Sequence, residues 1–166
     1  MRYLNLEDIK FSVVPVIERF YDENDNPVPN YKNDVDGLSR LEGVLESIKS
    51  ENYKDFFDKA TALLININLG HFFDNGNKRM ALVTFLAFVF ANNYSTIEKD
   101  KYFCSAEITN IFPKYINFSD KSTDLSIEFT LYHLSIIIAD YRKYVGSYDE
   151  LKKKVKRFIK LYLKKV

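Results

Sequence analysis

His71-Phe72-Phe73-Asp74-Asn75-Gly76-Asn77-Lys78-Arg79, running straight into Met80-Ala81-Leu82-Val83-Thr84-Phe85-Leu86-Ala87-Phe88-Val89-Phe90, is the stretch on which the fold turns. Its second half is the most apolar run in the chain and is hydrophobic nearly all round, the pattern of a helix buried at the centre of a bundle. Its β-branched residues would also suit a buried strand, but its length and the preceding turn favour a helix. Gly76 and the flanking Asn75 and Asn77 adopt tight or left-handed backbone conformations at least cost, so the chain turns there and the helix starts at about Lys78. A turn feeding a helix start gathers unpaired backbone N–H groups at the positive end of the helix dipole, a combination that suits phosphate. Lys78 and Arg79 oppose that dipole, so their placement makes sense if an anion is expected there. His71 stands five residues before Gly76, on the near side of the turn, where an imidazole can take a proton from a hydroxyl near neutral pH. A base beside a phosphate cradle points to transfer of a phosphorus-centred group to a hydroxyl. Phe73 is expected to turn its ring into the core and pin the loop.

Upstream, Phe56, Phe57, Ala60, Leu63, Leu64 and Ile67 give a helix over about Tyr53–Leu69 that stops at Gly70. Leu38, Leu41, Val44, Leu45 and Ile48 recur at helical spacing, with Asp36 or Ser39 near the start. The first twenty residues read as a helix opening at Asn5 or Leu6, which Pro15 should kink or divide. Tyr21 to Asp36, dense in Asp, Asn and Pro, reads as a loop, with room for a short extended pair. Downstream, Asn92-Asn93 ends the central helix. Ile108, Ile111, Phe112 and Ile116 suggest a helix broken at Pro113 within an otherwise irregular Glu98–Ser122. A further helix covers about Leu125–Tyr144, where His133 lies in the apolar run Leu131–Ile138 and is expected to pack. Gly146 then separates a basic terminal helix, about Tyr148–Lys164. The fold class is all-α, a single domain over residues 1–166 bundled around a buried helix at about 80–91.

The composition is that of an ordinary globular chain: 166 residues, 46% hydrophobic and 28% charged, enough for a proper core. Twelve Tyr and fourteen Phe with no Trp make a bulky aromatic core without identifying a ligand. The single Cys104 excludes an internal disulfide and suits a reducing compartment. No basic-then-apolar leader opens the sequence, and the longest apolar run, about 12 residues, is short of the roughly 20 that span a bilayer. A cytoplasmic protein is expected. Charge is uneven: residues 147–166 hold eight Lys/Arg against Asp149 and Glu150, a net of +6, which leaves −5 for the rest of a chain whose total is +1. The apolar face Leu151, Val155, Phe158, Ile159 and Tyr162 opposite those lysines describes an ordinary amphipathic helix in preference to a nucleic-acid or membrane contact.

The run His71-x-Phe73-x-x-Gly76-Asn77-Lys78-Arg79 resembles the signature of the Fic/Doc (Fido) family, and Asp36-Gly37-Leu38-Ser39-Arg40-Leu41-Glu42-Gly43-Val44-Leu45-Glu46-Ser47 is similar to the segment those proteins carry before it. The spacing fits to about Asn92; residues 93–166 carry no family signature. Lys78 at the eighth motif position, and Leu82 where AMP-transferring Fic enzymes place a second Arg, make the chain look most like Doc, the death-on-curing toxin. The resemblance implies a Fido-type bundle and an enzyme with ATP as donor, His71 as general base, and Gly76, Asn77, Lys78 and Arg79 on the phosphates. It also implies that the Tyr21–Asp36 region helps present the target chain. The family's acidic metal-holding position falls on Asn75, with Asp74 one place earlier, so these are the candidate Mg²⁺ ligands. An amide oxygen ligates Mg²⁺ without the negative charge of a carboxylate. By analogy the acceptor is a hydroxyl on a target protein, such as a translation factor, and the role a growth-arresting toxin. No Ser/Thr-x-x-x-Glu-Gly/Asn inhibitory helix is visible, so an antitoxin on a second chain is the expected restraint. Transfer of AMP to a protein hydroxyl, and a catalytically inactive Fido module that only binds, are the alternatives.

Overall fold

The computed structural model describes residues 1–19, 29–116, 118 and 126–166, and these fall into two compact units, Met1–Asn93 and Tyr94–Val166. The part of the expected Tyr21–Asp36 loop up to residue 28, and residues 119–122 of the irregular stretch, lie outside the described residues.

Helices are the only regular elements of the first unit among its described residues. Asn5 caps α1 (Leu6–Asp8) in a capping box: its side chain accepts from the Asp8 N–H while the Asp8 carboxylate accepts from the Asn5 N–H, both at 3.0 Å. The helical path near the N-terminus is divided just before Pro15 but does not end there. A π-helical turn, Ile9–Val13, closes with the Val14 N–H donating to the Ile9 carbonyl, and α2 (Val14–Arg19) takes Pro15 in its first turn, where a missing N–H costs least. Asp34 caps α3 (Val35–Ser47) by accepting from the Gly37 N–H at 2.7 Å, and Asp55 caps α4 (Phe56–Gly70) in the same way from Asp58 at 2.7 Å. The central helix, α5 (Asn77–Ala91), packs along α4 and also meets α2 and the π turn. Phe56 stacks on Phe88 at 5.5 Å between ring centres. Burial on α5 is one-sided: Met80, Ala81, Thr84, Phe85, Phe88 and Val89 are buried, Leu82, Val83, Leu86 and Ala87 are half-buried, and Phe90 is exposed.

Two polar side chains tie this unit together. Asn92, just past α5, accepts from the Arg2 N–H at 2.8 Å and donates to the Arg2 carbonyl at 2.9 Å, pinning the N-terminal segment to the end of the central helix. Lys59 is buried; its ammonium donates to the Ile48 carbonyl at 2.6 Å, at the end of α3, and to the Ser50 carbonyl at 2.9 Å in the turn beyond it.

The second unit carries the only strands among the described residues. β1 (Tyr94–Thr96) pairs antiparallel with β2 (Leu163–Lys165) in the register Tyr94 to Lys165 and Thr96 to Leu163. α6 (Lys101–Ile111) ends before Pro113. The expected Leu125–Tyr144 helix is two pieces, α7 (Ser126–Ala139) and α8 (Tyr141–Tyr144), and α9 (Tyr148–Tyr162) gives way to β2 instead of running on to Lys164. Leu151, Val155, Phe158, Ile159 and Tyr162 are the buried face of α9. His133 is fully buried, its Nδ1 2.6 Å from the Tyr115 hydroxyl and its ring edge-on to Phe118 and Phe129. Burial pulls its pKa down from 6.5, while the Tyr115 phenol is pushed up to about 12 by burial and by Tyr144 and Tyr132 beside it. Among the described residues no helix is long and apolar enough to cross a membrane.

Candidate active site

The motif loop joins α4 to α5, and its shape comes from three residues in uncommon positions. Gly70 is the last residue of α4, where the sequence places a helix stop, but the left-handed conformation that usually accompanies such a stop falls on His71, with φ 45° and ψ 50°. Histidine is among the few non-glycine residues that visit this region with any frequency. Gly70 is required for a different reason: a Cβ there would run into the Phe72 ring, which folds back over the end of α4. Gly76, at φ 73°, is the second left-handed residue and the N-cap of α5.

Phe72 and Phe73 are both buried, so the loop between two helices is anchored by consecutive rings. Phe73 meets Tyr31 edge to face at 4.9 Å, and the Tyr31 hydroxyl donates to the Gly76 carbonyl at 3.1 Å. Asn77 closes the loop on itself: its Oδ1 accepts from the Phe73 N–H at 2.9 Å and its Nδ2 donates to the Phe73 carbonyl at 2.6 Å. The side chain of Asn77 is thus spent on the loop, and what it can offer a phosphate is its backbone N–H at the start of α5. Gly76 as N-cap supplies no side-chain acceptor to that first turn. His71 and Asp74 are exposed, as is Lys78, while Asn75, Gly76 and Arg79 are half-buried. The imidazole of His71 has no hydrogen-bond partner among the described residues.

The fit of a divalent cation rests on Asn75 and Asp74. The Asn75 Oδ1 turns back to accept from the Gly76 N–H at 2.7 Å. No group of three or more His, Cys, Asp or Glu able to hold a metal is present among the described residues. One exposed carboxylate, Asp74, with an amide oxygen beside it, does not make a protein cage. It fits a Mg²⁺ that keeps most of its waters and is held chiefly by substrate phosphates.

Residues outside the motif complete the loop's support, and sequence reasoning did not single them out. Arg40 on α3 donates from Nη2 to the Phe72 carbonyl at 2.7 Å, and Gly37, one turn earlier, lets the helix approach: a Cβ on Gly37 would stand 2.7 Å from that same carbonyl oxygen. Tyr31 is fully buried although it falls within the Tyr21–Asp36 stretch whose composition reads as a loop, where nothing in the local pattern marks it. A glycine inside a helical pattern did not mark the close approach of α3 either, since Gly43 on the same helix has nothing within 4 Å of where a Cβ would stand.

Comparison with known proteins finds no matching curated protein and no matching solved structure. Residues 6–89 match the model of the Fic/DOC family, just over half of the chain and all within the first compact unit, and they include every candidate site residue, from His71 to Arg79. With its motif loop folded between two helices and its fold almost wholly helical, the chain belongs to the Fic/DOC family.

Proposed function

We propose that this protein transfers the γ-phosphoryl group of ATP to a hydroxyl on a target protein, as Doc-like members of the family do. The observation that carries the reading is the placement of His71: exposed, left-handed, and joined through a closed loop to a helix start bearing Lys78 and Arg79. His71 takes the proton of the acceptor hydroxyl as its oxygen bonds to the γ-phosphorus, and the bond to the bridging oxygen breaks to release ADP. Lys78, Arg79 and the N–H groups opening α5 balance the charge on the phosphates. Asp74 and Asn75 would be the protein's contribution to a Mg²⁺, which when bound shields the phosphate oxygens.

Lys78 and Leu82 favour phosphoryl over AMP transfer, since AMP-transferring relatives carry Gly and a second Arg at these places. The acceptor is a Ser, Thr or Tyr of a target such as a translation factor, and an antitoxin chain restrains the activity. A second reading has one observation in its favour. The Asn75 amide oxygen is occupied by the Gly76 N–H, which weakens the metal subsite and suits a module that binds nucleotide without turnover.

The test is incubation of the chain and its His71→Ala variant with a cell lysate, Mg²⁺ and ATP labelled at the α or the γ phosphorus. Label from the γ position on a protein band, absent with His71→Ala, is the expected result. Label from the α position replaces the proposal with AMP transfer. No label from either position, even with Asn75→Asp, ends the case for ATP-dependent transfer.

A further inference from the structure

We infer that Arg40 is a positioning residue for His71, holding from α3 the Phe72–Phe73 peptide, the second peptide group past the histidine. The inference rests on the transfer reading above and adds a residue that acts through the loop instead of on the phosphates.

Two side-chain features of α3 converge on one atom. The Arg40 Nη2 donates to the Phe72 carbonyl at 2.7 Å, with the guanidinium carbon 5.8 Å from the centre of the Phe72 ring. Gly37, three residues earlier on the same helix face, has no side chain where a Cβ would come within 2.7 Å of that carbonyl oxygen. The missing side chain at Gly37 lets the helix come close, and Arg40 then places a cation on the loop. Arg40 is otherwise an exposed helix residue, yet it spans 32 positions of sequence to make this bond.

The consequence runs through the peptide plane. In a trans peptide the C=O and the next N–H point in opposite directions. With the Phe72 carbonyl drawn toward Arg40, the Phe73 N–H is turned onto the Asn77 Oδ1 at 2.9 Å. Asn77 is the first residue of α5, so one hydrogen-bonded series links α3, the Phe72–Phe73 peptide, and the helix start that bears Lys78 and Arg79. His71 needs such support, because its own imidazole has no described partner and its left-handed backbone persists only where its surroundings impose it. Base and phosphate cradle are thereby set by the same bond.

The test uses the full chain with Arg40→Gln and Arg40→Lys. Amide exchange at Phe73, measured without nucleotide, should quicken about tenfold or more in Arg40→Gln, the range expected for losing a charge-assisted hydrogen bond, with partial recovery in Arg40→Lys. Global unfolding in urea should shift by no more than the same factor, about tenfold in the folding equilibrium, since the bond is absent from the opened and the unfolded chain alike. In the transfer assay kcat should fall about tenfold or more with KM for ATP unchanged and the pH–rate midpoint unmoved. Unchanged Phe73 exchange in Arg40→Gln would overturn the inference, as would a raised KM for ATP with kcat intact, which would make Arg40 a substrate contact. If exchange quickens but the wild-type chain transfers nothing, the hold on the loop stands and the transfer reading is what fails.

Discussion

A single methyl group added at Gly70 should disturb the site more than most larger changes on the surface of α4. The Cβ of Gly70→Ala would occupy space taken by the Phe72 ring, and that ring is buried, so it has nowhere to swing. We expect a loss of about 1–3 kcal/mol in urea unfolding, the usual cost of overpacking, together with reduced transfer. Asn77→Ala removes both hydrogen bonds that close the loop and should cost about 1–3 kcal/mol while freeing the start of α5, visible as faster amide exchange at Phe73. His133 gives a prediction of the opposite kind, in the unit that does not carry the motif. Its pKa is lowered by burial, so below about pH 6.5 the unfolded chain binds a proton that the folded chain resists; stability should therefore fall as pH drops from about 7.5 to 5.5. The slope should flatten in His133→Gln, which does not titrate. At the other end, Tyr115 holds its proton to about pH 12, so its contribution is lost as pH rises from about 10 toward that value. Spacing alone marked His71, Lys78 and Arg79, because a base, a turn and two cations fell in nine residues. It could not mark Arg40, Tyr31 or Lys59, whose partners lie 32, 45 and 11 positions away.

Among the elements, the long apolar helices were legible and the short or irregular ones were not. Asn5, Asp34 and Asp55 behave as side-chain caps, and Asp55→Ala should cost about 1 kcal/mol in urea unfolding by exposing the first turn of α4. Pro15 shows why a proline need not end a helix. The π turn before it shifts the hydrogen-bond pattern by one residue, so the chain carries on. Both strands escaped notice because three residues are too few to show an alternating pattern. Leu163–Lys165 also continues the lysine-rich run of α9 without any composition change. The position of Gly70 was read correctly as the end of α4, but the left-handed residue is the one after it.

At the scale of the whole molecule, the family match ends at residue 89, close to the boundary of the first unit at Asn93. Every residue assigned to catalysis, phosphate binding and loop support lies in that unit, and the residues without a family signature begin where the second unit begins. The central claim is that the first unit presents His71 as the base for phosphoryl transfer. Its most direct test is mass spectrometry of proteins from a lysate exposed to the wild-type chain with ATP and Mg²⁺, with His71→Ala as the control. The account predicts phosphate on a Ser, Thr or Tyr hydroxyl of a defined target, seen with the wild-type chain alone. AMP on that hydroxyl, or no modification that depends on His71, would contradict it.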